Sequence, residues 1–110
     1  MPESKYILRY LPLFYGDVEE KLSYIAFDLN NPKAANELLN MIENAILERL
    51  PFAESFGKYF THKERHYPYY RIFVKNFVIY YVVIHDKESG SKIMEVRRFL
   101  YKTQDISRLL

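Results

Sequence analysis

The chain has 110 residues, the size of one domain, and its 49% hydrophobic and 27% charged residues argue against disorder. With no Cys it can form no disulfide, thiolate metal centre or thiol nucleophile, and its 3 Gly leave no room for a glycine-rich phosphate loop or a dinucleotide fingerprint. The net charge is only +2, but residues 1–57 hold 5 Lys and Arg against 9 Asp and Glu, and residues 58–110 hold 11 against 5, so an anionic partner is expected on the second half.

Residues 5–10 read as a short strand, with Tyr6, Ile7, Leu8 and Tyr10 favouring a pleated backbone. Pro12 suits the first turn of a helix. Phe14, Val18, Leu22, Ile25 and Leu29 then mark one face of a helix of about five turns. Asn31 is a good N-cap and Pro32 a good first residue for a second helix, in which Ala35, Leu38, Leu39, Ile42, Ala45, Ile46 and Leu50 recur at helical period until Pro51 ends it. Two helices joined by so short a link must lie as antiparallel neighbours.

Residues 52–67 are irregular and basic. Residues 69–74 read as a strand, Lys75-Asn76 as a two-residue turn in which Asn tolerates positive φ, and residues 77–84 as a central strand buried on both faces. A polar turn with Gly90 leads to a strand over residues 92–100, and residues 104–110 are expected to close as a short helix. The prediction is a single α+β domain over residues 1–110, two-layered, in the order β-α-α-β-β-β, with the helix hairpin packed on one face of an antiparallel-rich sheet. Leu8, Val18, Leu22, Ile25, Leu38, Leu39, Ile42, Ile46, Ile79, Val83 and Val96 are the expected core.

His62, His66 and His85 are the only histidines. They stand in no metal-ligand pattern, so neither a metal nor another cofactor is expected. Carboxylates such as Glu19, Glu20 and Glu95 sit beside Lys or Arg and read as surface ion pairs. What remains is a set of cations interleaved with tyrosines: Lys58, Lys63, Arg65, Arg71, Lys75, Arg97, Arg98, Lys102 and Arg108 among Tyr67, Tyr69, Tyr70, Tyr80, Tyr81 and Tyr101. Cations fix phosphates and aromatic faces stack bases, and such groups can also stabilise a metal-free cleavage of RNA. The alternative is that the tyrosines are core residues and the cations keep strand edges soluble. Strand alternation puts Arg71 with Phe73 on one sheet face and sends Arg97 and Arg98 to opposite faces, so Arg71 and one of these two are expected to line an exposed face with Lys75 and Tyr101.

Three segments resemble one family. They are residues 31–51, from Asn31-Pro32 through Leu38 and Ile42 to Pro51; residues 70–81, from Tyr70-Arg71 through Lys75-Asn76 to Tyr81; and residues 98–106, from Arg98 through Tyr101-Lys102 to Ile106. In order and spacing they are similar to the second helix, central hairpin and last strand with tail of the RelE/ParE superfamily of toxins from bacterial type II toxin–antitoxin systems. The resemblance implies that fold, a cytoplasmic toxin and a cognate antitoxin, with a toxin dimer within the complex as one arrangement. RelE-type members cut messenger RNA on the ribosome, whereas ParE-type members poison DNA gyrase. RNase-active members carry an Arg where this chain has Val78, and another near Lys102 and Thr103. Loss of planar guanidinium donors removes bidentate phosphate stabilisation.

The tail resembles the ParE pattern, departing from it at Tyr101 and Thr103, and the ParE branch is favoured. If the chain is a nuclease, its candidate catalytic residues are Arg71, Lys75, Arg98, Tyr101 and Lys102; a decayed, non-toxic member is the third alternative. The target- or partner-binding candidates are Arg71, Lys75, Arg97, Arg98, Tyr101, Lys102 and Arg108. The antitoxin is expected to bring an acidic tail that folds over Arg97, Arg98 and Lys102, and an amphipathic helix has a groove available in the helix hairpin. The N-terminus lacks a signal-peptide layout, and no apolar run reaches the roughly 20 residues that span a membrane.

Overall fold

The structure, a computed structural model, describes residues 5–59 and 67–110. Its elements are β1 (Tyr6–Tyr10), α1 (Pro12–Ser23), α2 (Pro32–Arg49), β2 (Tyr70–Val74), β3 (Phe77–His85) and β4 (Lys92–Tyr101). The fold is α+β, with two helices and a four-stranded mixed sheet. Strand order in the sheet, β1-β4-β3-β2, differs from the order in the chain. β2, β3 and β4 form an antiparallel meander, while β1 lies parallel to β4, with Tyr6 opposite Lys92 and Tyr10 opposite Val96. The sheet is therefore not wholly antiparallel: the two helices carry the chain from β1 across to β2 at the opposite edge, and the β2–β3 hairpin completes the long connection that the parallel β1–β4 pair requires.

Each helix is set locally before it is set by packing. Pro12 and Pro32 stand at the helix starts, where a missing N–H costs nothing, and the Asn31 side chain accepts a hydrogen bond from the Ala34 N–H at 3.1 Å. α1 is shorter than the apolar spacing predicts. After Ser23 the chain widens into a π turn over Tyr24–Asp28 and leaves it at Asn30, whose φ of 50° is of the left-handed kind that Asn tolerates. α2 ends at Arg49, and Pro51 falls in a 3₁₀ turn, Leu50–Phe52. In the β2–β3 turn the positive φ, 51°, falls on Lys75 rather than on Asn76.

The core lies between the helices and one sheet face. Phe14, Val18, Leu38, Ile42 and Ile46 from the helices meet Ile72, Ile79, Tyr81, Val83, Met94, Val96 and Phe99 from the strands. Leu8, Leu22, Ile25 and Leu39 of the expected core are only half-buried against it. The far face is covered as well. Tyr69, Val78, Tyr80, Val82 and Leu100 form a second cluster, and Leu110 is buried in it, with Ile106 and Leu109 packed alongside. Residues 104–110 form turns rather than the expected helix, held by hydrogen bonds from the Leu109 and Leu110 amides to the Ile106 carbonyl. Among the described residues, no helix is long and apolar enough to cross a membrane.

Candidate functional site

Across the far face, Arg71 on β2 stands opposite Tyr80 on β3, and Tyr80 stands opposite Arg98 on β4. The ladder slips one step further on: Tyr81 pairs with Val96, which leaves Arg97 as an extra, bulged residue. The bulge overturns the expectation that Arg97 and Arg98 point to opposite faces. Val96 and Phe99 both serve the helix-side core, so Arg97 and Arg98 between them share the far side. The Arg97 guanidinium lies 5.9 Å from the centre of the Tyr69 ring there.

Neither arginine stands free. The Arg98 Nε and Nη2 donate to the two oxygens of Asp17 at 2.8 and 2.9 Å, and Nη1 donates to the Leu109 carbonyl at 3.2 Å. Asp17 also accepts the Phe99 amide at 2.9 Å, so one carboxylate on α1 fastens both a side chain and the backbone of β4. Arg97 Nε donates to Glu95 at 2.8 Å, and the same buried carboxylate takes Arg9 of β1. The hydrogen bond to Asp17 raises the pKa of Arg98. Burial opposes the charge on Arg97, but hydrogen bonds to Tyr69 and Glu95 outweigh it and hold its pKa above the usual value. The expectation that one of these arginines lines an exposed face with Arg71 is therefore not met: both are held in carboxylate pairs.

Of the candidate cations that face solvent, Arg71, Lys75 and Lys102 lie toward β2 and the β2–β3 turn, and Arg108 lies in the C-terminal turns. Arg71, Lys75, Lys102 and Arg108 are exposed. The Arg71 guanidinium lies 4.2 Å from the Tyr59 ring centre and 5.3 Å from that of Phe73, and the Lys102 amine lies 5.8 Å from the same Phe73 ring. Phe73 is itself 55% exposed. The Lys102 amide donates to the Asn76 carbonyl at 2.8 Å, which ties the β2–β3 turn to the end of β4 and brings Lys75 and Lys102 into one region. Tyr101 does not join this group as expected: it stands opposite Phe77 of the helix-side core, with its ring 5.0 Å from that of Phe77 and 5.1 Å from the amine of Lys21, a lysine buried in α1. Among the described residues, no carboxylate pairs with Arg71, Lys75 or Lys102.

Val78 is 2% exposed, deep in the second cluster, and so offers nothing to a phosphate. His62, Lys63, Arg65 and His66 lie outside the described residues. His85 is at the far end of β3, where its Nε2 is 2.8 Å from Glu54. No group of side chains among the described residues could hold a metal ion.

Two participants were missed, Tyr59 and Asp17. Tyr59 joins the expected Phe73 in framing Arg71, and its ring within the basic stretch of residues 52–67 was the available signal. Asp17, which removes Arg98 from the surface, sits 81 residues away and left no such signal. No protein-family model matches this chain, and no curated protein matches it either.

Proposed function

We propose that this chain is a toxin of the RelE/ParE type, of the ParE-like branch. On this reading it inhibits growth by binding a protein target, DNA gyrase, and a cognate antitoxin neutralises it. The observation that carries the choice of branch is the burial of Val78. The position that holds a phosphate-binding arginine in RNase-active relatives is here an apolar residue under the C-terminal tail, and the nearby Arg97 and Arg98 are engaged by Glu95 and Asp17. A metal-free cleavage of RNA needs donors aimed at the charge that develops on the phosphate. Val78 is covered and Arg98 is paired, while Arg71, Lys75 and Lys102 stay exposed among aromatic rings, an arrangement that suits recognition better than catalysis.

The exposed group of Arg71, Lys75, Lys102 and the Phe73 ring is the surface this reading offers to an acidic antitoxin tail. Exposed cations chiefly steer association and make it depend on salt. The fold supports the assignment through its helix pair on one sheet face and its parallel β1 beside β4.

Two measurements test the proposal. Purified protein added to gyrase and relaxed plasmid should block supercoiling or accumulate cleaved DNA, and induction in bacteria should raise the DNA-damage response. Messages cut at defined codon positions would establish the RelE-like alternative instead, and harmless expression would mark a decayed member. For the antitoxin, Lys75→Glu with Lys102→Glu should slow association and flatten its salt dependence, both residues being exposed and, among the described residues, without a carboxylate partner. An unchanged salt slope would remove this patch from the interface.

A further inference from the structure

The trough between α1 and α2, with Phe14, Val18, Ile42 and Ile46 on its floor and Leu47 on its lip, belongs to the antitoxin on the toxin reading. A separate hollow of about 360 Å³ lies at the sheet edge, where the last turn of α2 stands over β2. Its apolar walls are Ala45 of α2, Ile72 and Phe73 of β2, and Phe56 of the segment that follows α2; its polar groups are Glu48 and Arg49. Arg49 is held in one plane. Its Nη1 donates to the Tyr81 hydroxyl at 3.0 Å and to the Arg71 carbonyl at 3.1 Å, and its guanidinium lies 3.5 Å from the centre of the Phe56 ring. The Tyr81 hydroxyl spends its own proton on the Ala53 carbonyl at 2.7 Å, so toward Arg49 it acts as acceptor. Both hydrogens of Nη1 are thereby used. Nε and Nη2, the pair spaced for the two oxygens of one carboxylate, have no acceptor among the described residues.

Of the three half-buried arginines among the described residues, Arg97 and Arg98 hold carboxylates and Arg49 does not. A cation drawn partly out of water without a counter-charge carries a desolvation cost that an arriving anion relieves. We infer that this hollow binds a small aromatic monocarboxylate, its two oxygens on Nε and Nη2 of Arg49 and its ring against Ile72 and Phe73. Phe56 is occupied by the guanidinium, whereas Phe73 is 55% exposed and offers a ring face. The volume is at the lower end of the roughly 300–1,000 Å³ typical of small-molecule sites, which suits a single ring with a short acid arm. Glu48 sets the charge of the ligand. It is exposed on the same hollow and forms no ion pair with Arg49, so it opposes any second negative charge and disfavours a phosphate monoester. An uncharged aromatic would cover the apolar walls and leave the free guanidinium edge unused. A purely structural role for Arg49 accounts for Nη1 and for the stack on Phe56, but not for that edge. The inference does not depend on the toxin reading: of the hollow's residues, only Phe73 is shared with the patch of Arg71, Lys75 and Lys102.

The test titrates the full chain with four probes and follows its NMR spectrum. Phenylacetate has both the ring and the single charge. Phenylacetamide keeps the shape without the charge, acetate keeps the charge without the ring, and phenyl phosphate adds a second charge. Phenylacetate should bind at least about tenfold tighter than each of the others. Its shift changes should centre on the Arg49 Nε–H and on the amides of Ala45, Phe56 and Phe73. Arg49→Lys keeps the charge but loses the fork, and should weaken phenylacetate about tenfold. Because Nη1 also serves Tyr81 and Arg71, a second variant avoids the fold: Phe73→Ser, at an exposed position, should weaken phenylacetate about threefold and leave acetate unchanged. Glu48→Gln should narrow the gap between phenylacetate and phenyl phosphate. Equal binding of the acid and the amide, an Arg49→Lys protein that binds phenylacetate as tightly as the parent, or no binding at millimolar probe would overturn the inference. So would shifts centred on Lys75 and Lys102, or on Leu39 and Leu47 beside the trough.

Discussion

On the helix side of the sheet, acids stand exposed around an open apolar trough. On the far side, arginines are drawn into carboxylate pairs and the apolar surface is closed by residues 106–110. A sum of charges along the chain makes the second half look strongly basic. In space two of its arginines are answered by Asp17 and Glu95, and its exposed candidate cations lie toward β2, the β2–β3 turn and the C-terminal turns. Where a charge ends is decided by the partner the fold gives it, and for Arg98 that partner comes from the acidic half of the sequence. The lesson is to compare surfaces, not halves of the sequence.

The contrast between floor and lip of the trough is sharpest in stability. Ile42 is 2% exposed and packed in the main core, so Ile42→Ala should cost about 2–5 kcal/mol in denaturant unfolding. Leu47, five residues further on and exposed on the lip, should lose no more than about 0.5 kcal/mol when changed to Ala. A Leu47 loss as large as that of Ile42 would mean the trough is closed in solution.

The far side breaks at Asp17. Its side chain is 13% exposed and that of Arg98 14%, and the carboxylate takes two guanidinium donors and the Phe99 amide. Asp17→Ala strands all three and should cost about 3 kcal/mol, the scale for removing one partner of a largely buried pair. Asp17→Ala with Arg98→Met should recover part of that loss, since the uncompensated cation is then gone. A double variant no better than the single would show that the Phe99 amide, rather than the arginine, is what Asp17 serves.

Why did the strands and helices stand in the sequence while Asp17 did not? Apolar period, proline position and the Asn31 cap are local, and they place α2, β2, β3 and β4 within a residue or two of where they lie. Alternation also put Arg71 and Phe73 together on the open side of β2. It failed at Arg97, because a bulge resets the alternation and nothing in the residues 95–98 announces one. Nor does a period of two say which strand is whose neighbour, so the parallel seat of β1 beside β4 was illegible, as was the Asp17–Arg98 pair that follows from it. Leu22 and Leu39 look like core because they are apolar and in phase. They are half-exposed because the helices part above them, a tertiary fact. Of the candidate site, Arg71, Lys75 and Lys102 were readable as exposed cations, while the covering of the far face by residues 106–110 was not.

The smallest effect belongs to a cluster at the far end of the sheet from Asp17, and it separates a solvated carboxylate from a sequestered one. Glu54 accepts from the Tyr6 hydroxyl at 2.8 Å and from His85 Nε2 at 2.8 Å, with the Lys92 amine 3.9 Å away. Burial alone would raise its pKa. The hydrogen bonds from Tyr6 and His85 and the charges of His85 and Lys92 outweigh burial, and the pKa falls below its ordinary 4.5. Burial, and then the hydrogen bond to Glu54, push the Tyr6 hydroxyl up to about 12.

These shifts set two limbs of opposite sign. A carboxylate with a lowered folded-state pKa adds stability that is present above the unfolded value and is lost as pH falls through the folded one. A tyrosine raised from 10.0 to about 12 adds stability that is present below 10.0 and is lost as pH rises toward 12. Stability should therefore be flat across neutral pH and fall at both ends. Glu54→Gln should remove the acid limb due to this group and shrink the alkaline one. At neutral pH the loss should be under about 1 kcal/mol, because the pair with His85 is solvated. Unfolding free energies of the two proteins between pH 3 and neutrality decide it: curves that converge toward acid support the cluster, and parallel curves would mean that Glu54 gains nothing from its three partners.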